Sequence, residues 1–355
     1  MNQERISLTM APGGENNRGM EIIGRMPIMG EGFTAKDIDG LGMLFRKQHE
    51  NIEVLNLNEL SGNEIIQNLK KENQGRVLVI RNWTEISGFD TNDIYNECVQ
   101  DEWDAEYLDP NKYRIEIVDG KEVKIRGKRM NKRARKNICW AYNMEQNPAV
   151  YEGKGRIVDV LKRPILNAAV EKLKTQISNG LIVIGSKTKV EINVIEGNRY
   201  YNLKNTGIGY HGDTERVVVI CLTIGGGGNY PMCWQWFNDA MPVGNNINIG
   251  LNDGDVYIMS EKAVGADWKL RSKYTIRHAA GAKKYLSLRR WEMKREAYEK
   301  KKAEKEAKRA EKEAEKEAKR AEKEAEKEAK RAEKEAKRAE KEAEKEANKK
   351  AKGKM

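Results

Sequence analysis

The chain has 355 residues, of which 39% are hydrophobic and 34% charged, with a net charge of +11. That length suffices for one or two domains with a sizeable core, and no run approaches the roughly 18 consecutive apolar residues of a membrane span. The N-terminal MNQERISLTM lacks a basic segment followed by an apolar one, so an intracellular, soluble protein of cytoplasm or nucleus, without a membrane partner, is expected.

The charge is unevenly spread. Between Ala303 and Ala347, 16 Lys/Arg cancel 16 Glu, and Lys349, Lys350, Lys352 and Lys354 add +4, which leaves +7 for residues 1–302. Such an excess suits a polyanionic partner without demanding one. Cys98, Cys139, Cys221 and Cys233 form no CxxC pair and no metal-finger spacing, so reduced thiols are expected.

Residues 1–74 read as an N-terminal accessory segment, either a small domain or a wrap on the core. NRGMEIIGRMPIMGEGF is rich in Gly and Met, and IDGLGMLFRKQHENIEVLNLNEL suggests a helix running into a short strand. His49, among charged residues, reads as a surface histidine.

Residues 75–291 read as α+β with a β-rich second half. RVLVIRNW is a buried strand. Tyr113–Arg126 alternates around Asp119-Gly120 and reads as a hairpin. Asn167–Ile177 has helical spacing. KVEINVIEGNRYYN, RVVVICLTIG, NINIGLN, DVYIMS, KYTIRHAAG and KKYLSLRRW come next as short strands, a pattern that suggests a sandwich, barrel or jelly roll. The tetraglycine Gly225–Gly228 reads as a turn, because no GK[ST] comes after it.

Residues 292–355 read as a charged helical tail. AEKEAKRAEKE recurs from Ala303, Ala314 and Ala325, and an 11-residue repeat keeps one narrow alanine stripe on a helix. Glu304–Lys308, Glu315–Lys319 and Glu326–Lys330 are favourable i,i+4 pairs. With no large apolar residue between Tyr298 and the terminal Met355, Ala303–Ala347 is expected as a solitary helix of roughly 65–70 Å. An alanine-seamed coiled coil is the alternative. Either form is a spacer or arm toward other proteins or polyanions, with NKKAKGKM as a basic end.

Two of the three histidines sit in the β-rich half. His211 opens HGDTER directly after the strand-like GIGY. In an extended segment residues i and i+2 share a face, so His211 and Asp213 can grip one ion. His278 lies 67 residues on, in YTIRHAAG. Two imidazoles and one carboxylate on one side of a metal suit non-haem iron(II), with positions left open for cosubstrate and oxygen. An HxD pair alone arises often by chance, so the surroundings must decide.

Glu196–Asp213, EGNRYYNLKNTGIGYHGD, resembles the AlkB-like dioxygenases. That family has an N-R-Y strand about ten residues before H-x-D-x-[DE]-E. Asn198, Arg199 and Tyr200 reproduce the first motif, and His211, Asp213 and Glu215 the second, although Arg216 replaces the last acid. GDVYIMS resembles the family's G-D strand before the distal histidine. GIGYHGDTER, IMSEKAVGADWK and RHAAG are most similar to the branch found in large DNA viruses and algae.

The resemblance spans residues 75–290 and implies a double-stranded β-helix (jelly-roll) core with flanking helices. It implies Fe(II) on His211, Asp213 and His278 as the catalytic centre, and 2-oxoglutarate held by Asn198 and Tyr200. Two further cations would come from an R-x-N-L-[ST]-F-R strand, which KKYLSLR matches with Lys283 and Arg289. A one-residue slip would present Lys284 and Arg290 instead. Such an enzyme consumes O2 and 2-oxoglutarate and releases succinate and carbon dioxide while oxidising a C–H bond.

For the substrate, Arg126–Tyr142 gathers seven cations before Trp140 and Tyr142. Cations can track phosphates while aromatics stack on extruded bases, so Arg133, Arg135, Trp140 and Tyr142 are candidate nucleic-acid contacts, for DNA or RNA. Glu215 matches an acid that lies near the target base in the family. Trp234 and Trp236 are candidates for pocket or core. The expected activity is oxidative demethylation or hydroxylation of a nucleic-acid base, as in DNA repair. Hydroxylation of thymine or a protein side chain, and a non-catalytic binding protein, are the alternatives.

Overall fold

In the computed structural model, which describes residues 4–17 and 21–352, the first strand already sorts the chain into layers. Strand β1 (Arg5–Ala11) alternates, so Ile6, Leu8 and Met10 enter one apolar cluster while Arg5, Ser7 and Thr9 point to the opposite face. Each of those three buried apolar side chains contributes about 1.5–3 kcal/mol by leaving water.

The strands continue as β2 (Gly13–Asn17), β3 (Glu21–Gly24), β4 (Ile52–Asn56), β5 (Arg76–Ile80), β6 (Glu106–Val118), β7 (Lys121–Asn131), β8 (Lys136–Ala141) and β9 (Ile157–Asp159). The second half adds β10 (Val194–Tyr200), β11 (Gly207–His211), β12 (Val219–Ile224), β13 (Tyr230–Asn238), β14 (Met241–Leu251), β15 (Val256–Met259) and β16 (Thr275–Gly281). An eight-stranded sheet has the order β4-β5-β15-β12-β1-β10-β8-β9, and a four-stranded sheet the order β11-β16-β13-β14. β2-β3 and β6-β7 form separate two-stranded sheets. The hairpin expected around Asp119-Gly120 is present: both residues have positive φ and Val118 pairs with Lys121.

Helices α1 (Ala35–Arg46), α2 (Thr91–Val99) and α3 (Pro164–Val183) cover one face of the large sheet. Ile38, Leu41, Ile94 and Leu173 pack there with Leu8, Ile195 and Leu222. Thr34 and Asp37 close a capping box that starts α1. The other face packs on the four-stranded sheet through Val79, Tyr200, Tyr257, Trp234, Trp236 and Ile276. The result is a mixed α/β arrangement of helices, a large sheet and a small sheet. All four cysteines are free and buried, and no described helix is long and apolar enough to cross a membrane.

Residues 1–288 form one compact unit. The first 74 residues contribute strands to this unit, with β1 in the middle of the large sheet and β4 at its edge. One difference from expectation concerns KKYLSLRRW, expected as a strand. Gly281 leaves β16 at φ +107°, Lys283–Leu286 make one helical turn, and Arg289 opens a helix. Arg, Glu, Lys and Ala dominate the sequence beyond Arg289, and these residues favour helix over strand.

The second unit holds helix α4 (Arg289–Lys352), 64 residues and about 95 Å long, close in extent to the tail expected at 292–355 and longer than its repeat alone. Glu315–Lys319 and Glu326–Lys330 make the expected i,i+4 ion pairs at 2.7 Å. Lys354 of the basic end lies outside the described residues.

Candidate metal centre

Three ligand-type side chains converge where the small sheet begins. His211 ends β11 and stands directly opposite His278 of β16 in the ladder. A register irregularity between Ile208 and His211 precedes this pair. Gly212 then lets the chain pass the Gly265 carbonyl, since a Cβ there would lie 2.1 Å from that oxygen. Two residues past His211, Asp213 is fixed by its backbone N–H donating to the Val264 carbonyl at 3.2 Å.

Asp213 Oδ1 lies 3.5 Å from His211 Nε2 and 3.6 Å from His278 Nε2. Those separations are long for hydrogen bonds and suit three atoms facing a common ion. His211 Nδ1 is 2.8 Å from the Gly209 carbonyl. A proton held on Nδ1 leaves the Nε2 lone pair for a metal. His278 is buried, and burial, the neighbouring His211 and Arg216 all hold its pKa well below the usual value. It is therefore neutral at physiological pH, as a ligand must be.

Behind the triad lies a buried charge network. Arg216, 4% exposed, pairs with Glu196 and with Glu215 at 2.8 Å, and its Nε is 3.5 Å from Asp213 Oδ2. Burial acts to raise the Glu196 pKa, but the Arg216 guanidinium outweighs it and the carboxyl titrates below its usual range. Glu15 of β2 reaches the same network without a cation of its own. Burial, together with Glu196 and Glu215, pushes it up to about 7.

Asn198 and Tyr200 of β10 line the metal cavity, of about 80 Å³, as do Glu215 and Arg135. The Asn198 carbonyl oxygen accepts from Arg135 Nε and from Asn137 Nδ2, and its amide donates to Glu196 at 3.0 Å. Burial raises the Tyr200 pKa, so its hydroxyl stays protonated. A wider mouth of about 580 Å³ shares Glu15, Arg135 and Glu196 with the cavity. Lys112, Lys132, Arg133, Tyr107 and Tyr285 line it. Arg133 and Arg135 thus stand at the approach to the triad.

Three expected site residues lie elsewhere in this unit, and a fourth belongs to the second unit. Trp140 is fully buried, edge-on to Trp103, with Nε1 donating to Asp101 at 2.9 Å. The Tyr142 hydroxyl donates to Glu171 of α3 at 2.7 Å. Strand alternation explains this: Ile138 and Trp140 of β8 join the helix-side cluster, while Asn137 meets Asn198 on the metal side. Lys283 is in the helical turn after β16 and does not line the cavity, and Arg289 belongs to α4. The slipped pair divides in the same way, with Lys284 in the same turn and Arg290 in α4. Trp234 and Trp236 are core residues, fully buried between the sheets.

Sequence reading missed Ser7, Thr9, Glu15, Tyr230 and Tyr257, all of which line the cavity. The one local signal, and for Ser7 and Thr9 alone, was the polar alternation of RISLTMA.

No family model matches this chain. An uncharacterized protein of Acanthamoeba polyphaga mimivirus is 30% identical to it over 285 residues, which cover 80% of this chain and 98% of that protein.

Proposed function

This chain belongs to the same family as the mimivirus protein, and we propose that it is an iron(II)- and 2-oxoglutarate-dependent dioxygenase of AlkB-like type, acting on a base in nucleic acid. The observation that carries the reading is the triad: two imidazole Nε2 atoms within 3.6 Å of one carboxylate oxygen, at the wall of a cavity. Two histidines and one carboxylate with open positions make the donor set of such enzymes. The strand orders β11-β16-β13-β14 and β10-β1-β12-β15, on facing sheets, support a double-stranded β-helix reading of the core.

His211, Asp213 and His278 would hold the iron, and Asn198 and Tyr200 would meet the cosubstrate. The buried Tyr230 hydroxyl, which has no hydrogen-bond partner, fits a polar ligand beside them. Iron(II), 2-oxoglutarate and oxygen together supply an oxidant that hydroxylates a C–H bond and leaves succinate and carbon dioxide. The chain's own residues orient and shield. The Gly209 carbonyl fixes the His211 ring, and Arg216 lies beside Asp213 and holds Glu196 ionised. Tyr200, Tyr257 and Met259 exclude water from the cavity wall. At the mouth, Lys112, Lys132 and Arg133 offer donors to phosphates, and Tyr107 and Tyr285 offer faces to bases.

The test is product analysis with iron(II) and 2-oxoglutarate on N-methylated oligonucleotides, unmodified DNA and peptides. Formaldehyde release from a methylated oligonucleotide supports the reading. Turnover driven by peptide alone would refute the nucleic-acid part.

A further inference from the structure

The strand that joins β10 to β12 in the large sheet comes from the N-terminus. In register, Arg5 pairs with Tyr200, Ser7 with Asn198 and Thr9 with Glu196. Tyr200, Asn198 and Glu196 line the metal cavity, and so do Ser7 and Thr9. Arg5 is the next residue on that face. It is fully buried, its guanidinium lies 5.9 Å from the ring centre of Tyr230, and Tyr230 lies 5.2 Å from Tyr200.

Arg5 stands apart in making no ion pair, although Asp253 and Asp255 act on it through space. Nη2 donates to the backbone carbonyls of Gly227 and Leu251, the latter at 3.4 Å. Nε and Nη1 are buried without any partner, and no described carboxylate pairs with it. Its neighbour Glu4 is taken by Arg199 and Tyr95. The other cations of the cavity are engaged as well, Arg216 with Glu196 and Glu215, and Arg135 with Asn198. A buried guanidinium with unused donors is costly unless a ligand neutralises it. Arginine stays protonated in a protein, so it cannot escape that cost by neutralising.

We propose that Arg5 is a carboxylate subsite of the metal cavity, and that it takes the distal carboxylate of a 2-oxo dicarboxylate bound at the triad. The inference rests on the dioxygenase reading above. It makes the N-terminal strand part of the site and moves the ligand's anchoring cation from the segment after β16 to the start of the chain. Tyr230, whose hydroxyl is also buried without a partner, is placed to donate to the same carboxylate.

Calorimetric titration of the full chain loaded with manganese(II), which binds without turnover, tests this with 2-oxoglutarate and with 2-oxobutyrate, which lacks the distal carboxylate. Wild-type protein should bind 2-oxoglutarate on the order of 10–100-fold more tightly, the range for a charge-assisted hydrogen bond. Arg5→Met should abolish that preference while leaving 2-oxobutyrate affinity within about twofold. Arg5→Lys, which keeps the charge, should retain part of it; should the methionine variant fail to fold, the lysine variant decides. Undiminished preference for 2-oxoglutarate in either folded variant overturns the Arg5 assignment and leaves the dioxygenase reading standing. Manganese binding without affinity for either 2-oxo acid in the wild type overturns both.

Discussion

Replacing Arg216 with methionine removes the cation that is ion-paired with Glu196. Both side chains are less than a tenth exposed, so Arg216→Met leaves a carboxylate stranded in a low-dielectric interior. Removing one partner of a buried pair costs about 3–5 kcal/mol. For a unit of nearly 290 residues that is a fall in Tm of roughly 5–10 °C. The double variant Arg216→Met/Glu196→Gln takes away the stranded charge and should recover most of the loss, to within about 1 kcal/mol of wild type. Manganese(II) affinity should not fall in the single variant, because Arg216 touches Asp213 from the side away from the histidines and repels a cation. Urea unfolding and manganese titration read both quantities. A single variant within about 1 kcal/mol of wild type, or a double variant no more stable than the single, refutes this account of the network.

Other outcomes come from the same structure. Glu15 titrates near 7 in the fold and near 4.5 when unfolded, so it contributes stability that is complete below about pH 4.5 and disappears as pH rises through 7. Glu15→Gln should remove up to about 3 kcal/mol of that decline, read as flatter urea midpoints between pH 5 and 8; an unchanged slope would contradict it. Arg133→Gln, at the exposed mouth, should weaken single-stranded oligonucleotide binding and lower the salt slope by about 0.7. Equal slopes for variant and wild type would remove Arg133 from the phosphate track. Deleting residues 303–355 should leave the melting of the first unit within about 1 °C, because every described side chain from 303 to 343 is exposed. A larger shift would show a role in folding.

The triad was legible because it uses short-range rules. His211 and Asp213 stand two residues apart at the end of β11, and Asn198 and Tyr200 repeat that spacing within β10. The errors arose where local pattern was ambiguous or partners were remote. LSLRR alternates like a strand, yet the helix-forming run from Arg289 onward and Gly281 decide for helix. Trp140 comes after a basic stretch, but its register sends it to the helix-side core while Arg135 faces Asn198. RISLTMA carried its alternation openly, but pairing Arg5 with Tyr200 closes nearly 200 residues of chain, and no local signal reports that contact. Arg216, a departure from the family pattern in sequence, becomes intelligible once Glu196 is seen beside it.

The central claim, that His211, Asp213 and His278 hold a catalytic iron, is tested most directly by succinate formation from 2-oxoglutarate in the presence and absence of iron(II). Wild type should form succinate only with iron(II), and His211→Ala and His278→Ala should lose that formation by at least about a hundredfold while remaining folded. Iron-independent succinate formation, or full activity in either folded histidine variant, would contradict the account.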